Sequence, residues 1–196
     1  MRAHLKYLSY VLRHKWFVFI ECCKLGIPLR GLLHDISKFT LAEWFPYVET
    51  FYGKKPSPRD TTGAYDPSKV GGAFDLAWLH HQHCNKHHWQ WWILRGDSDA
   101  VKVLPMPDKY RKEMLADWRG AGRAQGKPDT HSWYAKNQSK MQFHPDTRAW
   151  LREELLNCYD CKKHGHRSHG SADGCPNSYY CYSTEDKPHF EPETFL

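Results

Sequence analysis

The stretch Leu32-Leu33-His34-Asp35-Ile36-Ser37-Lys38 sets an imidazole beside a carboxylate at the end of an apolar run. Histidine is a borderline nitrogen donor and aspartate a hard oxygen donor, so the pair suits a transition metal or a magnesium-like ion. Two adjacent residues do not complete a coordination sphere. Whether this pair is a site depends on which donors the flanking elements bring to it.

Upstream, Ala3 to Leu25 fits helical spacing twice over. One stripe is Leu5, Leu8, Leu12, Trp16 and Phe19; the other is Tyr7, Val11, Val18 and Leu25. A helix apolar on two stripes is expected to be central, and His14, within the second stripe, is expected to point inward. Gly26-Ile27-Pro28 ends this helix. After the short segment Leu29 to Phe39, Thr40-Leu41-Ala42-Glu43 reads as a capping box opening a helix to Tyr52.

Downstream, Gly53 to Gly72 is a loop long enough to serve as a lid. Ala73 to Leu94 is helical at first, then aromatic and histidine-rich. Gly96 to Pro107 is a connection. Asp108 to Arg119 is a helix with Tyr110, Met114, Leu115 and Trp118 on its apolar side, and it carries Asp117. Gly120, Gly122 and Gly126 break it or link it onward. Ser132 to Lys140 and Pro145 to Asn157 form two further helices, the last with proline in its first turn. No strand alternation is legible before residue 157. The expectation is an all-α main domain over residues 1–157 and a cysteine-rich irregular extension over 158–196, too small to bury a core unaided.

No stretch approaches the ~18–20 uncharged apolar residues that span a bilayer, and the N-terminal apolar run is broken by Arg13, His14 and Lys15. A cytoplasmic protein without a membrane partner is the expectation. Residues 1–150 carry 23 Lys and Arg against 14 Asp and Glu, whereas residues 151–196 carry 5 against 8. A basic body suits an anionic substrate such as a nucleotide, or weak nucleic-acid contact. Seven cysteines, an odd number, argue against a secreted disulfide framework and for reduced thiols or metal binding.

The order of donors along the chain is His14, then His34-Asp35, then His80-His81, then Asp117. This order resembles the HD-domain superfamily of metal-dependent phosphohydrolases, and Leu33-His34-Asp35-Ile36-Ser37-Lys38 looks like its central signature, with Ser37 where glycine is common. His80-His81-Gln82-His83-Cys84-Asn85-Lys86-His87-His88 resembles the paired histidines of two-metal members, although the glycine-tyrosine-proline that follows in cyclic-dinucleotide phosphodiesterases is absent. The run from Tyr10 to about Trp150 also looks like a family of undetermined function from bacteria and their phages. Its landmarks here are Leu12-Arg13-His14-Lys15-Trp16, His80-His81-Gln82-His83, His87-His88-Trp89-Gln90 and Ala116-Asp117-Trp118-Arg119-Gly120. The resemblance implies an HD-like helical bundle that hydrolyses a small phosphorylated substrate, a nucleotide above all. It implies His14, His34, Asp35 and Asp117 as ligands of one ion, with Asp35 bridging to a second held by His80 and His81. One or two ions of manganese, iron, cobalt, nickel, zinc or magnesium fit that role. Lys38 is expected on the substrate phosphate; Arg13, Lys15 and Arg119 are further candidates for an anion pocket. His83, His87 and His88 are expected around the site or facing substrate, and small domains of this kind often form homo-oligomers.

Two other readings of the same residues stand beside this one. If the helix continued past Cys84, then His80, Cys84, His87 and His88 would share a face and close a structural zinc site. Trp78, Trp89, Trp91 and Trp92 read as core packing before a base-stacking platform. In the tail, the spacings Cys158-x2-Cys161 and Cys175-x5-Cys181 suit a structural zinc, with His164, His166 and His169 as substitutes for one thiolate. Two functions of other classes follow: a non-catalytic zinc-stabilised nucleic-acid-binding protein, and a diiron enzyme that uses oxygen.

Overall fold

The computed structural model describes residues 2–53, 59–61, 66–69 and 71–156. Seven α-helices lie among them: α1 Arg2–Lys24, α2 Pro28–Leu33, α3 Leu41–Tyr52, α4 Ala73–Cys84, α5 Asp108–Ala124, α6 Thr130–Asn137 and α7 Pro145–Leu156. Short 3₁₀ turns at Ile36–Phe39 and Trp89–Trp92 flank the histidine-rich segments. The tail cysteines Cys158, Cys161, Cys175 and Cys181, with their zinc expectation, lie outside the described residues, as does half of the expected lid loop. No helix among the described residues is long and apolar enough to cross a membrane.

Helix α1 ends where Gly26 takes φ 75°. Ile27 N donates to Cys22 O and Gly26 N to Cys23 O, the paired bonds that close a helix on a left-handed residue. Pro28 then starts α2 with its φ already set. Helix α2 crosses α1 at Gly31, where a Cβ would stand 2.8 Å from Cys22 Cβ and 2.9 Å from Phe19 Cα. Only glycine allows that approach.

Helix α5 runs five residues past the expected stop at Arg119. Gly120 faces α1 rather than ending the helix, since a Cβ there would lie 2.5 Å from Val18 Cγ2 and 2.8 Å from Val18 N; Gly122 lies against Lys127 O, and Gly126, at φ 71°, follows just past the last turn. The sequence shows a helix breaker at Gly120, but packing uses the missing side chain for contact. A second departure is a two-stranded antiparallel ribbon, β1 Ile93–Arg95 and β2 Val101–Val103, paired Ile93 to Val103. Three mostly exposed residues per strand leave no alternation to read.

The stripes of α1 separate in the fold. Tyr7, Val11 and Val18 are buried, and so is His14 on the same side. Leu5, Leu12 and Trp16 are exposed instead, so α1 buries one stripe and not two. Tyr7 and Val11 join Tyr47, Val48, Phe74 and Ala77 in a core between α1, α3 and α4. Trp92, Met106, Met114, Leu115, Tyr134, Phe143 and Leu151 form another, with Trp89 and Trp91 packed against it as expected. Val18, Cys22 and Ala116 seal α1 against α5. Alongside these apolar clusters, α1, α3, α4 and α5 bury His14, Glu43, His81 and Glu113, and His34, Asp35 and His87 join them.

Candidate metal centre

Helix α2 stops at Leu33, and Asp35 takes φ 54°, the one non-glycine residue with positive φ among those described. A left-handed aspartate costs energy that the surroundings must offset, and such strain concentrates at functional sites. The reversal turns His34 and Asp35 into the interior, where each is 1% exposed. The 3₁₀ turn that follows is fastened to the end of α4, since Asn85 Nδ2 donates to Ser37 Oγ at 2.7 Å.

Four elements then meet. His14 Nε2 lies 3.3 Å from His34 Nε2, 3.5 Å from Asp35 Oδ2 and 3.3 Å from Asp117 Oδ1. His34 Nε2 lies 3.3 Å from Asp35 Oδ2 and 3.4 Å from Asp117 Oδ1. Ligands about 2.1 Å from the centre of a tetrahedron stand about 3.4 Å apart, so this spacing is that of a transition-metal shell. The expected set of His14, His34, Asp35 and Asp117 therefore converges.

A second compartment opens on the other oxygen of the same carboxylate. His81 Nε2 lies 3.5 Å and His87 Nε2 3.4 Å from Asp35 Oδ1. Asp35, His81, His87 and His88 each offer a donor atom within 4.8 Å of the others. Asp35 Oδ1, His87 Nε2 and His88 Nε2 are buried without any hydrogen-bond partner. Orphaned buried polar atoms are costly, and several around one point fit a cation better than a packing accident.

Carboxylates behind the rings set their orientation. Glu113 Oε1 accepts from His34 Nδ1 at 3.2 Å and lies 3.4 Å from His87 Nδ1. Arg30 Nε holds its other oxygen at 2.7 Å. Glu43 Oε2 accepts from His81 Nδ1 at 2.8 Å. In each case the Nδ1 edge of the ring faces the carboxylate and the Nε2 edge faces the compartment, the arrangement seen behind metal-bound imidazoles. Burial opposes the charge of Glu113, but its bonds to His34 and His87 bring it down to about 2. Burial likewise opposes charge on Asp35 and Asp117. The charges of His34 and Lys38 at Asp35, and the bonds from His14 and His34 at Asp117, hold both carboxyls well below the usual range. Burial pushes His88 well below its ordinary value, reinforced by His87 and His81, so its ring stays neutral and able to donate a lone pair.

Several expected residues lie elsewhere. His80 is directed away from the centre: its Nδ1 bonds Glu43 Oε1 at 2.8 Å, and its side chain is 40% exposed. Helical geometry gives the reason, since neighbours on one helix point about 100° apart, so α4 can aim only one of the pair inward. Arg119 donates to Glu154 O at 3.2 Å, near the end of α7, two positions past Asp117 and on another face of α5. Lys15 Nζ bonds the carbonyl oxygens of Leu32 and His34 and braces the end of α2. Lys38 Nζ pairs with Asp35 Oδ2, although the chain there is a 3₁₀ turn and not a continued helix. The single-face zinc set does not form, because α4 ends at Cys84 and His87 and His88 follow in a turn. Thr40 makes no side-chain cap on α3; its hydroxyl bonds Ser37 O, and Glu43 is given over to the histidines.

Glu43, Glu113 and Arg30 have roles that motif reading did not assign, and His87 and His88, expected around the site, line the second compartment. Glu113 had a signal: it precedes Asp117 by four residues, one turn up the same face, within the apolar run Met114-Leu115-Ala116.

Beside the centre, an open cleft of about 450 Å³ is lined by Arg2, Leu5, Lys6, Ser9, Tyr10, Arg13 and Tyr52. The Tyr10 ring stacks on His14 with centroids 6.0 Å apart, which places the cleft against a cage residue. Three cations and no acid among the lining residues make it receptive to an anion.

No curated protein and no solved structure matches the chain. A family model described as "Family of unknown function (DUF5662)" matches residues 3–157, which takes in the cage, its supporting carboxylates and all of the cleft but Arg2. The chain belongs to that family.

Proposed function

We propose that this protein is a metal-dependent phosphohydrolase of HD-like architecture, acting on a nucleotide or similar small phosphoester. The observation that carries the reading is the double cage on Asp35: one oxygen faces His14, His34 and Asp117, the other faces His81 and His87. His14, His34, Asp35 and Asp117 would hold one divalent ion; Asp35, His81, His87 and His88 a second. Such ions lower the pKa of a coordinated water and polarise phosphoryl oxygens, which is the chemistry that phosphoester hydrolysis needs.

The chain's own side chains do the rest. Hydrolysis breaks a P–O bond, places the water oxygen on phosphorus and sends its proton to the leaving oxygen. Asp117 is the more exposed of the two cage carboxylates, so its side is where a substrate can enter. Lys38 supplies a cation at the cage wall, within reach of a phosphoryl oxygen bound there. Arg2, Lys6 and Arg13 line the approach and favour substrates carrying further negative charge. Glu43 and Glu113 keep the rings facing inward through turnover.

The test is a panel of nucleoside mono-, di- and triphosphates, a phosphodiester and a generic aryl phosphate, assayed for ester cleavage with manganese, cobalt, nickel, iron or magnesium. Metal-dependent cleavage that is lost in Asp35→Ala, with helix content retained, is the expected result. Absence of cleavage with every ion would remove the proposal. The second compartment, three imidazoles to one carboxylate, also suits iron and an oxygen-using reaction. Iron found in the purified protein, with oxygen uptake and no phosphate release, would favour that second reading.

A further inference from the structure

The cleft beside the cage has an order along α1. Arg2, Leu5, Lys6, Ser9, Tyr10 and Arg13 recur at steps of three and four residues or their sums, so they form one stripe down the helix. At about 1.5 Å per residue the stripe from Arg2 to Arg13 is about 16 Å long. Its inner end meets the metal centre. Arg13 precedes His14, and the Tyr10 ring lies nearly parallel to that of His14, with 13° between their planes. Tyr52 closes this end from α3. Burial and the neighbouring Tyr10 push its phenol up while Arg13 draws it down, so the three tips gather there.

No acid interrupts the stripe, since the first acidic residue of α1 is Glu21. Arg2, Lys6 and Arg13 make no ion pair among the described residues, whereas Arg30, Lys38 and Arg123 are each paired with a carboxylate. The spacing of the three identifies the anion. Along the axis Arg2 and Lys6 are about 6 Å apart, and Lys6 and Arg13 about 10 Å. Adjacent phosphates of a nucleoside triphosphate share an oxygen, so they crowd together at the cage and leave Lys6 and Arg2 unmet. A nucleic-acid strand sets a whole sugar between phosphates and hangs a base on each. Exposed Leu5 lies between Arg2 and Lys6, and the half-buried rings of Tyr10 and Tyr52 lie between Lys6 and the cage. Cations spaced by helical turns with such faces between them suit that repeat: the backbone follows the charges and unpaired bases lie on the rings. A duplex keeps its bases turned inward, away from those rings.

We propose that this stripe is a track for single-stranded nucleic acid, which brings one phosphodiester of an oligonucleotide to the cage. The track is read from α1 and Tyr52; cleavage of the strand rests on the phosphohydrolase reading. In that step the water oxygen joins phosphorus and the P–O bond to one sugar breaks. That sugar leaves as a hydroxyl carrying the proton of the water.

The experiment is fluorescence anisotropy of the full 196-residue chain with a labelled decathymidylate, its linkages phosphorothioate so that it resists cleavage and keeps its charge. Three cation contacts, at about 0.7 each, predict a slope of log affinity on log salt of about −2 or steeper. Lys6→Gln and Arg13→Gln, both at exposed positions, are each expected to make the slope shallower by about 0.7. Lys102→Gln on the ribbon leaves it unchanged. An abasic strand of the same length is expected to bind about tenfold more weakly with the slope kept, because the rings lose their stacking partners. Equal affinity for the abasic strand, for a duplex or for inorganic tripolyphosphate overturns the proposal, since charge alone would then be read. No binding at low salt overturns it too. Binding of the strand without metal-dependent cleavage of its ordinary phosphodiester form sustains the track and removes the phosphohydrolase reading. Cleavage of a mononucleotide by a chain that binds no strand keeps that reading and overturns the track.

Discussion

Replacing Gly120 with alanine tests the packing that brings α1 to α5. Two effects oppose each other. In an exposed helix interior, alanine is more favourable than glycine by about 1 kcal/mol. Here the new Cβ would stand 2.5 Å from Val18 Cγ2, 2.8 Å from Val18 N and 3.0 Å from Val18 Cα. Carbon atoms rest about 3.5–4.0 Å apart, so α1 must retreat by about 1 Å. The obstacle is largely backbone, which cannot swing aside as a side chain can. Overpacking of this kind costs about 3 kcal/mol, the upper part of its usual range. The clash outweighs the propensity gain, leaving a net loss of about 2 kcal/mol, or about 4–8 °C in melting temperature for a domain of this size. The retreat also has a local consequence. His14 is one turn before Val18, and Asp117 three residues before Gly120, so the same motion widens the 3.3 Å gap between their donor atoms. Thermal unfolding of chelator-treated protein reads the first effect, and titration with zinc reads the second, expected as at least about tenfold weaker binding. A melting temperature that rises in Gly120→Ala would refute the reasoning, since that is what an unpacked helical glycine gives.

Further outcomes follow from the donors themselves. Asp35→Asn removes the carboxylate shared by both compartments, so metal analysis should find both sites depleted while circular dichroism keeps its helical shape; full retention of metal would argue against a bridging role. His88→Ala should lower the stoichiometry by one ion and leave the cage of His14, His34 and Asp117 loaded, read by calorimetric titration. Glu113→Gln keeps the shape but withdraws the charge behind His34 and His87, and a ten- to hundredfold loss of metal affinity is expected; a change within twofold would mean the rings need no such partner. Arg119→Ala should leave metal affinity untouched yet cost about 1–2 kcal/mol of stability, because it removes a bond to Glu154 O and no cage contact.

Local pattern sufficed for much of this molecule. The period of Tyr7, Val11, His14 and Val18 turns His14 inward, and Gly26-Ile27-Pro28 ends α1, because each depends on neighbours within one or two turns. The donor types also announce metal chemistry, since His34-Asp35 and Asp117 offer complementary ligands wherever the chain places them. What the pattern lacked was partnership. Glu43 looks like half of a capping box until α4 arrives beside it and two imidazoles compete for its oxygens. Gly120 looks like a breaker until Val18 occupies the space its side chain would need. His80 and His81 are equivalent in sequence, and only the rotation of α4 against α3 selects His81 for the centre. His87 and His88 enter through a turn whose path depends on the packing of Trp92, not on any periodicity. The amino-acid sequence alone determined the helices and the kinds of donor, because propensity and ligand chemistry are properties of short segments. Tertiary structure alone decided which donors meet, which flank of α1 stays uncovered and which carboxylate stands behind which ring, because those depend on distances between residues up to about a hundred positions apart.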